Sequence, residues 1–209
     1  MISLSNAVVF GWHSAIMGMR NPMNSWPKSD SAFFSDFSCK IGQNDLDLME
    51  RLIKSGAEHR KFLRMIHVQM DIEAPLYWWK EFDTYKVGTT ANSCSTMHKI
   101  AAKEFTIEDF SVEHLLAENT VYFGKTIERL NNARNKFLET KDKKYWWQMI
   151  QLLPCSYNQL RIVDLNYEVL LNQYFQRKEH KLDEWRIYCE QIKCFPYLND
   201  FIEVLKNEQ

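Results

Sequence analysis

The 209-residue chain is predicted to be an α+β protein, rich in helix around a small sheet, and three observations carry that prediction. Ile66, Val68, Met70 and Ile72 alternate with His67, Gln69, Asp71 and Glu73, the period of two that marks a half-buried strand. Residues 112–140 instead space Leu, Phe and Ile at helical intervals, with Lys, Arg, Glu and Asn on the other faces. The chain is 45% hydrophobic and 14% aromatic, enough for one core, and no Pro/Gly/Ser-rich stretch is long enough to divide it. Residues 1–209 are therefore expected to form a single domain.

The elements follow in order. A short apolar strand is expected around residues 7–10, followed by an ordered loop over 20–26, Arg-Asn-Pro-Met-Asn-Ser-Trp, whose asparagines suit either turn geometry or a ligand contact. Residues 44–55 read as a helix: Leu46, Leu48, Met49, Leu52 and Ile53 form a wide apolar stripe and Gly56 supplies a stop. After the alternating strand, Pro75 suits the first turn of a helix over 76–85 that takes Tyr77, Trp78 and Phe82 into the core. Gly88 and the Thr/Ala/Asn/Ser run behind it are expected to break that helix into a loop. The helix of 112–140 and a second over 145–153 are separated by the charged turn 139–144, and Pro154 ends the second. Residues 157–163 can form a short strand, Asp164 or Asn166 can cap the helix behind it, and helices over 182–195 and 197–206 close the chain.

Composition excludes several functions. Lys plus Arg, 26, nearly cancel Asp plus Glu, 27, so the net charge of -1 gives no global pull toward nucleic acid or anionic membrane. Any bound anion needs a local site. Five cysteines without Cys-x-x-Cys spacing fit a reducing cytoplasm, and no apolar run is long enough to span a bilayer. The six histidines, at 13, 59, 67, 98, 114 and 180, show no metal-ligand spacing, so no metal is expected. With six glycines and neither a phosphate-binding loop nor G-x-G-x-x-G, classical nucleotide-fold enzymes are excluded. Cys94, flanked by serines, is either a nucleophile activated by Lys86 or a helix N-terminus, or a small residue packed beside a tight turn. Trp78-Trp79 and Trp146-Trp147 are adjacent on helices and point different ways, so one of each pair is expected in the core and the other at an interface.

Two segments carry more specific chemistry. Residues 78–98 read WWKEFDTYKVGTTANSCSTMH and residues 166–177 read NYEVLLNQYFQR. With Gly56-Ala-Glu-His59 and Ala74-Pro75 upstream, their order resembles the flavin-dependent thymidylate synthases from about Leu48 onward. That family's motif is Arg-His-Arg-x-x-Ser-x-Asn-Glu-x-Ser-x-Arg-Tyr. Laid to end on His98, it places Thr90, Asn92 and Ser95 on its Ser, Asn and second Ser, while Tyr85, Lys86 and Val87 take its three basic positions, Ser93 its Glu and Met97 its last Arg. Paired from the Ala-Pro side, Thr84, Tyr85 and Lys86 take the basic triplet instead, with a one-residue insertion near Thr90 or Ala91. The later Asn-x-Arg-x-x-x-Asn-x-x-x-x-Arg arrangement falls without a gap on Asn166, Asn172 and Arg177, with Glu168 in place of its middle Arg. His59 falls where the family places a flavin-contacting histidine.

The resemblance implies a fold with a small antiparallel sheet and several long helices, a single thymidylate synthase complementing protein-like domain. It implies FAD as cofactor, held by His59, Asn92, Asn166 and Asn172, and a pyrimidine deoxynucleotide held by Lys86, Thr90, Ser95 and Arg177, of which Ser95 and Arg177 take the catalytic roles. The implied reaction is methylation of dUMP to dTMP with a folate carbon and NADPH; the alternative is a catalytically inactive relative, a nucleotide-binding or structural oligomer. On a helix Asn166, Gln173 and Arg177 share a face and Asn172 lies about a third of a turn away, so one pocket of one subunit would struggle to use both asparagines. A site shared between the chains of a homotetramer, as the family builds, meets that requirement. Lys80, Lys86 and Lys99 stand near the missing arginines and offer point charges in place of bidentate forks.

Overall fold

A computed structural model describes residues 1–36 and 38–207. In chain order its elements are β1 (Ser3–Phe10), α1 (Trp12–Arg20), β2 (Ala32–Phe33), β3 (Cys39–Lys40), α2 (Gln43–Lys54), β4 (His67–Pro75), α3 (Leu76–Phe82), β5 (Thr89–Ser93), α4 (Thr96–Lys99), α5 (Ala117–Thr140), α6 (Lys143–Leu152), β6 (Asn158–Asn166), α7 (Tyr167–Arg177), α8 (Asp183–Ile192) and α9 (Leu198–Lys206). Helices dominate, and the strands form a four-stranded sheet of order β1-β4-β6-β5 and a two-stranded antiparallel pair, β2 with β3. The predicted helix-rich α+β architecture with a small antiparallel sheet is the one observed. No helix among the described residues is long and apolar enough to cross a membrane.

The chain divides into two compact units. One comprises residues 1–3, 72–84 and 92–161; the other comprises 4–71, 85–91 and 162–209. In the first, α5 and α6 close over Ile100, Phe105, Phe110, Leu130 and Met149, with Phe123, Ile127, Trp146 and Tyr157 packed at the margin. In the second, Trp12 meets Tyr167 edge-on at 5.4 Å and Tyr197 at 5.6 Å, and Phe62 meets Phe201 at 6.3 Å, tying α1, α7 and α9 into one apolar centre. Met49 and Ile53 of α2, and Trp185, Tyr188 and Ile192 of α8, are buried in the same unit.

The alternating pattern of residues 66–73 emerges as β4, in which Val68, Met70, Ile72 and Ala74 are buried and Gln69 and Glu73 exposed. Helix α2 lies one residue before the predicted span, and Gly56 ends it at φ 99, backbone that glycine adopts without strain. Other expectations need correction. The loop predicted from Arg20 begins inside α1, whose buried Trp12, Ala15 and Ile16 supply the apolar spacing. Pro75 ends β4 and stands before α3 in extended conformation (ψ 150), and α3 stops at Phe82, short of Tyr85. The Thr/Ala/Asn/Ser run is strand β5: it pairs beside β6 and buries none of its side chains, so it needs no apolar alternation. Helix α5 begins at Ala117, five residues past the predicted start at 112, and β6 continues to Asn166. Both Trp78 and Trp79 are buried, where one was expected at an interface. Trp79 is held there because its Nε1 donates to the Gln159 carbonyl at 3.0 Å and the Arg161 guanidinium covers its ring at 4.2 Å. Trp146 is half-buried against the core of the first unit, and Trp147 is exposed.

Candidate functional site

The residues singled out by sequence fall in both units, and each set is described within its own unit. In the second unit, β6 ends on Asn166, which also caps α7: its Oδ1 accepts the Val169 N–H at 3.1 Å, and the side chain is buried. Gly88 backs onto the other end of this amide, at φ 75, and a Cβ there would lie 2.6 Å from Asn166 Nδ2. Two turns along α7, buried Gln173 accepts the Tyr188 hydroxyl at 2.6 Å, whereas Asn172 is exposed, as the helical spacing predicts.

One turn further stands Arg177. Its Nε donates to the Tyr85 hydroxyl at 2.9 Å, and its guanidinium lies 5.6 Å from the Tyr85 ring and 4.9 Å from the Trp185 ring. Tyr85 in turn donates to Gln176 Oε1 at 2.8 Å. The hydroxyl therefore accepts from one α7 side chain and donates to the next, fixing the orientation of the planar cation. Tyr85, on a position where the family motif is basic in either alignment, buttresses an arginine instead of contributing a charge.

Glu168 explains the other departure. It lies buried in the first turn of α7, where a carboxylate complements the helix dipole, and forks with Arg60: Nε reaches its two oxygens at 3.2 and 3.0 Å and Nη2 one of them at 3.0 Å. Position 168 thus holds a carboxylate that neutralises the guanidinium of Arg60, the residue next to His59. Sequence reasoning missed Arg60, and the available signal was the acidic residue standing in an arginine's place. Glu168→Gln is expected to cost about 1–3 kcal/mol, measured by urea denaturation, because it weakens a charge-assisted fork with little access to water.

His59 is exposed in the turn before Lys61, and it lines a groove of about 640 Å³ with Met19, Met23, Leu48, Phe62 and Met65. Lys86, in the turn before β5, and Thr90, in the strand itself, are both exposed.

In the first unit, Asn92 is exposed near the end of β5. Ser95 caps the short α4, its Oγ accepting the His98 N–H at 3.3 Å. The turn that carries Ser95 is pinned to β6 twice: Cys94 N donates to Leu160 O at 3.1 Å, and Gln159 Nε2 donates to Cys94 O at 3.0 Å. Gln159 is itself held by Arg161, whose Nε donates to its Oε1 at 3.0 Å while Nη1 pairs with Asp83 at 2.7 Å. A cavity of about 340 Å³ opens beside this turn, walled by Cys94, Ser95, Lys99, Phe105, Tyr157 and Gln159. Glu73, Lys103 and Asp109 complete its charged wall, and Lys103 forms an ion pair with Asp109. Burial, helped by the Asp109 carboxylate, pushes the Tyr157 phenol up, so it stays protonated and presents a donor near neutral pH.

The thiols are sorted by burial. Burial pushes Cys39 up to about 11 and Cys189 up to about 12, whereas Cys94, Cys155 and Cys194 are exposed. Iodoacetamide at pH 8 is expected to modify the three exposed cysteines and spare the other two in the folded protein, read by peptide mass spectrometry. Equal labelling of all five would refute the assignment.

The element order and the sheet define the fold of the flavin-dependent thymidylate synthases. The chain is similar to thymidylate synthase ThyX of Helicobacter pylori, solved with FAD and dUMP, at TM-score 0.68 and 16% identity over 98% of each chain. A second structure of the Helicobacter pylori enzyme with the same two ligands gives 0.67 and 15% over 96% of each chain. The UMP/dUMP methylase PolB from Streptomyces cacaoi, bound with 5-Br dUMP, gives 0.65 and 10% over 99% of this chain and 94% of that one. No protein-family model matches the sequence, nor does any curated relative. The likeness is one of fold, and it extends along nearly the whole chain.

Proposed function

We propose that this protein is a divergent flavin-dependent thymidylate synthase-like enzyme that binds FAD and a pyrimidine deoxynucleotide and methylates dUMP to dTMP, with a folate carbon and NADPH. The observation that carries the reading is Arg177, held by the Tyr85 hydroxyl beside the Tyr85 and Trp185 rings, which meet each other edge-on at 6.1 Å. A planar guanidinium whose orientation is fixed is the group suited to recognising a pyrimidine edge or a phosphate. The solved neighbours with dUMP, UMP analogues and FAD support the ligand classes.

The residues of the second unit fit a flavin. The His59 groove has the volume and apolar lining for a fused ring, Asn172 is exposed on α7, and the Asn166 amide is kept in place by the missing side chain at Gly88. His59, Asn166 and Asn172, with Asn92, would hold the cofactor, which when bound supplies hydride chemistry that no side chain can. Lys86, Thr90 and Ser95 would position the nucleotide, and Arg177 would stabilise negative charge developing on the base. The enzyme would work as one domain of residues 1–209 in a cytoplasmic homotetramer whose chains share each site.

A second reading is favoured by the positions of the lost motif. Val87 is 90% exposed and Met97 50% exposed where the first alignment places arginines, so these positions add no cation. On that reading the protein binds nucleotide without methylating it. Purified protein is expected to carry flavin absorbance or to take up added FAD, and wild type is expected to bind dUMP about ten- to a hundredfold more tightly than Arg177→Ala by titration calorimetry. Absence of flavin after reconstitution would overturn the flavoenzyme reading. Binding of both ligands without dTMP formation would establish the second.

A further inference from the structure

We propose that a pocket between the end of α1 and the exposed face of α2 is a binding site for inorganic phosphate, built from residues that have no part in the cofactor and nucleotide reading above. Arg20, Lys28, Asn44, Asp47 and Arg51 line it, all within the second unit, around a volume of about 250 Å³. Arg20, the last residue of α1, forms the inner wall and is 97% buried at 3% exposure. Its Nε donates to Asp45 at 2.6 Å and its Nη1 to the Ser25 carbonyl at 3.3 Å, but the buried Nη2 has no acceptor in the chain. A buried cationic N–H without a partner is costly and rare, so an acceptor from outside the chain is called for.

Water could meet that one N–H, but the rest of the wall calls for negative charge. Lys28 closes the tight turn Trp26–Lys28, and Arg51 projects from α2, its Nε on the Asp47 carbonyl at 3.2 Å. Both are exposed, and neither forms an ion pair among the described residues. The Arg20 charge is already balanced by Asp45, so Lys28 and Arg51 are the cations an anion would neutralise. The start of α2 adds nothing, because the Asp30 carboxylate already accepts the Asn44 and Asp45 amides at 3.0 and 3.2 Å. Asp47 decides which anion fits. Its carboxylate, on the same wall, accepts Gln43 Nε2 at 2.7 Å and repels an oxyanion that has no proton to donate. Inorganic phosphate keeps a P–OH for Asp47 near neutral pH while its other oxygens accept from Lys28 and Arg51. Sulfate has no such proton, and a phosphomonoester, with its second pKa at about 6, has lost its own by about pH 8. The wall therefore favours the free ion over the phosphate of a nucleotide.

The test is calorimetry with inorganic phosphate, sulfate and methyl phosphate at about pH 8 and matched ionic strength. Wild type is expected to bind inorganic phosphate about ten- to a hundredfold more tightly than the other two, the range for a charge-assisted contact. Lys28→Gln and Arg51→Gln should each weaken phosphate by about tenfold, whereas Lys54→Gln, which removes a charge from α2 outside the pocket wall, should leave it unchanged. Asp47→Asn should bring phosphate and sulfate to nearly equal affinity, because an amide can donate to either. All four substituted side chains are exposed, and urea midpoints taken without phosphate verify that the variants fold. Phosphate affinity unchanged in the combined Lys28→Gln, Arg51→Gln variant would place the anion elsewhere and overturn the assignment. Sulfate or methyl phosphate bound as tightly as phosphate, or no phosphate binding by wild type, would overturn it equally, and each of these results leaves the flavin and nucleotide reading intact.

Discussion

Asp45→Ala is expected to destabilise the protein by about 3–5 kcal/mol, the largest effect of any single polar substitution considered. Asp45 is fully buried at the start of α2 and serves as a hub. One carboxylate oxygen takes Arg20 Nε at 2.6 Å; the other takes the Ser29 and Ser31 hydroxyls, each at 2.7 Å, and the Asp30 and Ser31 amides, each at 3.2 Å. Alanine would strand those donors and leave Arg20, only 3% exposed, without its counter-charge. The same carboxylate gives a pH signature. Burial pushes its pKa up, but the Ser31 and Ser29 hydroxyls and Arg20 outweigh that and hold it below the usual aspartate range. A group depressed in the folded state contributes stability above its unfolded pKa and loses it as pH falls through the folded value. Urea midpoints should therefore decline in wild type as pH falls below about 4, and Asp45→Asn should remove part of that decline. An unchanged acid limb in Asp45→Asn would show that other carboxylates set it.

Gly88→Ala is expected to cost about 2–3 kcal/mol in stability and to weaken flavin uptake at the same time. Two penalties add. At φ 75 any L side chain is strained, and the new Cβ would sit 2.6 Å from Asn166 Nδ2 and 3.3 Å from Val169 Cγ2. The amide cannot simply swing aside, because its Oδ1 is the cap of α7. Equilibrium denaturation measures the first effect and FAD titration the second. Loss of stability with wild-type flavin affinity would separate Asn166 from the cofactor.

These two sites also show what a sequence can display. The strand of residues 66–73 was legible because one face is buried, so hydrophobicity had to alternate. Strand β5 was not, because all its side chains remain at least partly exposed and only backbone pairing makes it a strand. The asparagine and arginine spacing along α7 was legible for the same reason as β4: a regular element converts sequence separation into direction. Arg60, Tyr85 and Trp185 were not, since they reach Glu168 and Arg177 from residues 108, 92 and 8 positions away, where spacing carries no information. Asp45 was hidden differently. It looks like an ordinary acidic residue in the first turn of a helix, and only the fold brings Arg20 and the two serines around it.

The fork between Arg60 and Glu168 also constrains which neighbouring sequences the protein can visit. Arginine at 168 alone would set two guanidinium groups against each other in a nearly dry space, and losing Arg60 alone would leave a buried carboxylate without its counter-ion. Either single step passes through a destabilised intermediate. Positions 60 and 168 therefore behave as one heritable unit, and a variant library that samples them independently is expected to return the two residues changed together or not at all.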